Sequence, residues 1–77
     1  MMYLSKSNAR ALYRLYEKKC FLDSLADLAK ESGVPLQDIQ AYFNAEREKI
    51  ELEHVAGLAE VFGMTVAELD LFLLDHY

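Results

Sequence analysis

An internal repeat with an offset of thirty residues constrains this chain more than any other feature. Residues 25–39 read LADLAKESGVPLQDI and residues 55–69 read VAGLAEVFGMTVAEL. Apolar residues coincide at 25/55, 28/58, 34/64, 36/66 and 39/69, as do Ala29 with Ala59 and Gly33 with Gly63. Each copy combines apolar residues at helical spacing, a small residue that lets two helices approach, and a glycine suited to the left-handed conformation that ends a helix. The apolar residue after the glycine then plugs the corner between two helices. Each copy therefore predicts two helices joined by a tight turn. Two copies are too few for a solenoid, so they predict a compact bundle.

The flanking residues extend the helical pattern. Ser5 or Ser7 caps a first helix reaching about Lys19, with an apolar stripe of Ala9, Leu12, Tyr13, Tyr16 and Cys20. Asp23 or Ser24 caps a second helix, Leu25 to Ser32. Pro35 is acceptable only near a helix start, because it lacks an N–H and fixes φ, so a third helix runs from Leu36 to about Asn44. The charged segment 45–51 is the best loop. A fourth helix, Glu51 to Phe62, turns Leu52, Val55, Ala56, Leu58, Ala59 and Phe62 inward, and Gly63 ends it. Thr65 and Glu68 form a capping box for a fifth helix through Leu74. The expected fold class is all-α: a compact five-helix bundle over residues 1–77, one domain, with a helix-turn-helix core at about 24–44. At 77 residues, folding buries only about 60–65% of the unfolded chain's surface, which supports a single core.

The net charge is −5, which counts against nucleic acid, since neutralised phosphates supply most non-specific affinity. The charge is unevenly divided. Residues 1–22 carry Lys6, Arg10, Arg14, Lys18 and Lys19 against Glu17 alone, whereas residues 23–77 carry Lys30, Arg47 and Lys49 against twelve acids. Lys6, Arg10, Arg14 and Lys18 recur every four residues, a cationic stripe along one face of the first helix. Such a stripe is either a solvated face or a ridge that tracks phosphates.

Other function classes find little support. Cys20 is the one cysteine, so no internal disulfide is expected, and a secreted domain this small would usually carry several. No run approaches the roughly 20 apolar residues of a membrane span and no charged-then-apolar leader is visible, so a cytoplasmic protein with no membrane partner is expected. His54 and His76 stand alone, Cys20 has no nearby histidine, and no glycine-rich phosphate loop occurs. Neither catalysis, a cofactor nor a metal is expected.

The run LADLAKESGVPLQDIQAYFN, followed after a loop by VAGLAEVFGMTVAEL, resembles the lambda-repressor-like (Cro/C1-type) helix-turn-helix family over about residues 24–70. Ala29, Gly33, Val34 and Ile39 stand at the family's helix-turn-helix spacing, the second glycine turn also fits, and AYFN at 41–44 is similar to the end of the family's recognition helix. The resemblance implies that the helix starting near Pro35 lies in the major groove of duplex DNA, with its early outward residues at base edges. Ile39 then faces the core with Tyr42 or Phe43. Leu36, Gln37, Asp38, Gln40 and Ala41 lie near the outer face, with Asn44 at the far end. Gln37 and Gln40 suit adenine, Asp38 a cytosine amino group and Ala41 a thymine methyl, while Asn44 matches a backbone-contacting position. Arg10 and Arg14, with Arg47 or Lys49, would meet phosphates. On residue chemistry alone the glutamines can equally be helix formers facing water, and Leu36 can plug the turn as Val66 does in the second copy. The chain departs from the family at Leu25, where a phosphate-clamping Gln is common, and at Leu36, where a polar residue is common. It has no Lys or Arg between Gly33 and Glu46, and Asn44-Ala45 stands where many members have a glycine.

Leu69, Leu71, Phe72, Leu73 and Leu74 exceed what one helix face can bury in so small a domain. Helix 66–75 is therefore either a dimer interface through Leu71, Phe72 and Leu74 or a helix folded back with two faces covered. The resemblance implies the dimer. The expected function is a sequence-specific DNA-binding transcriptional regulator, a homodimer on duplex DNA. The alternative is a protein of the same fold that no longer binds DNA and instead binds a protein partner such as another repressor, as antirepressor or adaptor. Charge placement separates the two. Lys6, Arg10 and Arg14 on the surface of Gln37 would favour DNA; a ring of Asp27, Asp38 and Glu46 around that helix would favour a protein.

Overall fold

Capping chemistry sets the limits of the helices in the computed structural model, which describes residues 2–19 and 24–77. Five α-helices form among these residues: α1 (Lys6–Lys19), α2 (Leu25–Ser32), α3 (Leu36–Phe43), α4 (Leu52–Val61) and α5 (Val66–Asp75). Ser5 caps α1: its Oγ accepts from the Asn8 N–H (3.2 Å) while Asn8 Oδ1 accepts from the Ser5 N–H (2.7 Å). Ser24 caps α2 by accepting from the Asp27 N–H. Thr65 and Glu68 complete the expected capping box at α5. Asp23 and Cys20 lie outside the described residues.

Both repeat copies end their first helix on a glycine. Gly33 (φ +76°) and Gly63 (φ +70°) take left-handed backbone after α2 and α4, where an L side chain would be strained. Leu28 and Leu58, and likewise Ile39 and Leu69, occupy equivalent buried positions. α2 packs on α3 and α4, α1 packs on α3 and α5, and α4 packs on α5. The Cα radius of gyration is 10.8 Å, slightly below the roughly 11.5 Å expected for a compact chain of this length. Gly57 is where α4 meets α2 most closely: a Cβ there would lie 2.0 Å from the Ser32 carbonyl oxygen.

Some inward and outward assignments need correction. Leu52 is 87% exposed and Ala56 is exposed, because the first turn of α4 overhangs the core and its inward stripe begins at Val55. Leu36 and Val66 are exposed and do not plug the turns; as the repeat predicts, the residues after the glycines fill the corners, Val34 buried and Met64 half-buried. Ala41 is buried at 6% exposure, facing inward with Ile39 and Tyr42 rather than outward. The α3 face is thus narrower than the sequence suggests.

The chain ends are tied into the bundle. The Leu4 N–H donates to the Glu48 carbonyl and the Ile50 N–H to the Met2 carbonyl, making one antiparallel bridge between Tyr3 and Lys49. Asn8 is fully buried; its Nδ2 donates to the carbonyls of Tyr3 (2.8 Å) and Leu73 (3.0 Å). This one amide joins the N-terminal segment, α1 and α5. No helix among the described residues is long and apolar enough to cross a membrane.

Candidate functional site

α3, with 8 residues, is short and well anchored, so what it displays is set by about two helical turns. Ile39 and Tyr42 pin its inner face, and Phe43 packs edge-on against Tyr13 of α1 (ring centroids 5.3 Å) and beside Tyr16 (5.8 Å). This aromatic cluster fixes α1 relative to α3. It leaves Gln37, Gln40 and Asn44 exposed on one flank. With Arg10, Tyr13, Leu25, Phe43 and Glu46 they line one open concavity. Arg10 also lines a second concavity with Lys6, Ser7, Ala11, Arg14 and His76. Arg10 therefore joins the amide-bearing flank of α3 to the cationic stripe of α1.

The opposite flank of α3 is already occupied. Arg47 donates to Asp38 Oδ1 at 2.7 Å, and its guanidinium lies 5.9 Å from the Tyr42 ring centre. Neither Asp38 nor Arg47 is a free surface group. Both line a cleft with Gly33, Pro35, Glu51, Glu53 and His54. Behind it the Tyr42 hydroxyl accepts the Glu51 N–H (3.1 Å) and faces His54 Nδ1 at 2.7 Å. The Tyr42–His54 contact is a hydrogen bond whose donor is set by the imidazole tautomer, with His54 Nε2 on the far side of the ring. That nitrogen is 4.0 Å from Asp38 Oδ2 and 3.9 Å from Glu53 Oε1. Burial pushes the Tyr42 hydroxyl above its ordinary pKa, partly offset by the Glu51 N–H; the Asp38 and Glu51 charges raise it further and Arg47 lowers it. The phenol stays neutral at physiological pH. Its oxygen is engaged by both the Glu51 N–H and His54 Nδ1.

The C-terminal face is apolar. Leu71, Leu74 and Tyr77 are exposed at 58%, 68% and 63%, and Leu74 and Tyr77 form a groove with Met2, Tyr3, Asp70 and Leu73. Phe72 turns partly inward, its ring 4.3 Å from that of His76.

Of the sequence-predicted site residues, Gln37, Gln40, Asn44 and Arg10 share one surface, and Arg14 continues it through Arg10. Asp38 and Arg47 are brought together with each other on the other flank. Ala41 is withdrawn from the surface. Sequence reasoning did not place Tyr13, Ser7 or His76 at these surfaces. Tyr13 is 39% exposed at the edge of the apolar stripe, and a helical period cannot separate edge from core. Among the described residues no group of three or more His, Cys, Asp or Glu is arranged to hold a metal ion. Compared with models of protein families, with curated proteins and with solved structures, the chain matches none.

Proposed function

We propose that this chain is a lambda-repressor-like helix-turn-helix protein that binds duplex DNA and regulates transcription, with α2 and α3 as the helix-turn-helix pair. The observation that carries this reading is Arg10 lining the same concavity as Gln37, Gln40 and Asn44. A base-reading helix needs phosphate contacts beside it to fix its register, and primary amides are suited to base edges. Lys6 and Arg14 extend the cationic surface beyond Arg10. A homodimer joined through exposed Leu71 and Leu74 would present two α3 helices to a two-fold site. The narrower α3 face leaves Gln37 and Gln40 as the base readers, without Ala41.

The second reading, capture of a protein such as another repressor, is favoured by Glu46 in that same concavity and by the exposed apolar groove beside α5. Selection from a pool of random duplexes separates the two. Wild type should enrich a defined sequence, with affinity falling steeply between low and physiological salt, and Gln37→Ala/Gln40→Ala should lose the enrichment. Absence of binding at low salt would favour the protein partner.

A further inference from the structure

The concavity beside the first turns of α1 has its own chemistry. Lys6, Ser7, Arg10 and Arg14 line it from α1, and His76 closes it from the end of α5. Lys6, Arg10 and Arg14 are exposed and take part in no ion pair among the described residues, in a chain whose net charge is −5. Three exposed cations at successive turns of one helix repel each other, and an anion bound among them would relieve that. His76 is held in a defined state. Its Nδ1 lies 2.8 Å from the Phe72 carbonyl oxygen. A carbonyl can only accept, so Nδ1 carries a proton and Nε2 is the nitrogen left for a ligand. Stacking on Phe72 keeps the ring in place.

We propose that Lys6, Ser7, Arg10, Arg14 and His76 form an oxyanion site that takes a phosphoryl group, with His76 as a proton-dependent donor. The proposal rests on the DNA-binding reading only for the source of that group, a phosphodiester of the duplex rather than a free oxyanion. Lys6, Arg10 and Arg14 hold the anion by charge, the Ser7 hydroxyl donates one hydrogen bond, and the imidazolium Nε2–H donates another. The groups near His76 are these three cations of α1 and its chain neighbours Asp75 and Tyr77, the main-chain oxygen of Tyr77 accepting from the Ser5 hydroxyl (2.8 Å). A protonated Nε2–H donates to a bound oxyanion, whereas a neutral Nε2 with the ring proton on Nδ1 offers only a lone pair. Binding therefore takes up a proton, and affinity rises as pH falls.

The test uses the full chain with two probes whose charge does not change between pH 8 and pH 5.5: sulfate, and a random-sequence DNA duplex. Binding should tighten by about three- to tenfold over that range, through one charge-assisted hydrogen bond at an exposed site. His76→Gln should abolish the pH dependence, and Lys6→Gln or Arg14→Gln should weaken binding at every pH. The His76 ring proton resonances should shift on adding either probe. His54, the other histidine, lies on the Asp38 flank of α3 and serves as internal control for sulfate, to which it should not respond. Sulfate bound with this pH signature but no duplex binding would uphold the site and remove the DNA reading. Selective duplex binding with the same pH dependence in His76→Gln, or a silent His76 resonance, would overturn the site and leave the DNA reading standing.

Discussion

Arg47 and Asp38 form an ion pair of 2.7 Å that closes one flank of α3, so a cation next to the candidate reading surface is neutralised within the free protein. A phosphate approaching that flank must compete with the Asp38 carboxylate. Asp38→Asn should free Arg47 and steepen the dependence of log K on log salt by about 0.9, the increment for one more neutralised phosphate. Arg47→Gln should leave the slope near wild type, and the double variant should return to it. Salt titrations of the four proteins on one duplex give the coupling; an equal gain from Asp38→Asn with and without Arg47 would mean simple removal of repulsion.

Gly57 supports α4 against α2, and its substitution by alanine has opposite expected effects depending on context. On an open helix face Gly→Ala stabilises by about 1 kcal/mol. Here the added Cβ would lie 2.0 Å from the Ser32 carbonyl oxygen, which is backbone and can yield only by shifting α2. Gly57→Ala should therefore destabilise by about 3 kcal/mol, lowering Tm by at least about 10 °C in a domain this small. Thermal unfolding followed by circular dichroism measures it.

Ala45 follows α3 in left-handed backbone at φ +56°. The Ala45 N–H donates to Tyr42 and the Glu46 N–H to Ala41, the same closure that Gly63 and Met64 make after α4 with Glu60 and Ala59. Only the residue type differs. Ala45→Gly should stabilise by about 1 kcal/mol and Gly63→Ala should destabilise by a similar amount. Chemical denaturation with unchanged m-values would show both.

Much of the fold is legible in the sequence because its punctuation is local. Ser24, Gly33, Pro35, Gly63, Thr65 and Glu68 stand where caps and turns require them, and the bounds of α2 follow from them. The thirty-residue repeat likewise exposes the paired core positions Leu28/Leu58 and Ile39/Leu69. What depends on distant partners is not legible. Ile50 is a lone apolar residue in a charged run, yet it is buried at 2% exposure because the Met2 carbonyl accepts its N–H. Asn8 reads as an ordinary surface residue, but the Tyr3 and Leu73 carbonyls draw it inward. The site divides in the same way. Gln37, Gln40 and Asn44 follow from the period of α3, whereas the Asp38–Arg47 pairing and the burial of Ala41 depend on how the loop after α3 folds back.

Tyr42 links stability to alkaline pH. Burial holds its folded-state pKa above the ordinary tyrosine value of about 10, so between the two values the folded protein keeps a proton that the unfolded chain has lost. Stability is fully present below about pH 10 and declines as pH rises through the folded value. Tyr42→Phe should remove this contribution to the alkaline decline. It should also cost about 1–3 kcal/mol near neutrality, because the Glu51 N–H and His54 Nδ1 lose their shared partner. Urea unfolding of both proteins between pH 7 and pH 11 compares the slopes.

The most direct test of the central claim is a residue-resolved NMR titration of the full chain with a duplex enriched from the random pool. The side-chain amides of Gln37, Gln40 and Asn44 and the guanidinium of Arg10 should shift together, saturably, with salt weakening all of them in parallel. No shift at these groups, or shifts confined to Leu71, Leu74 and Tyr77, would contradict DNA reading by α3 and point to a protein captured at the C-terminal face.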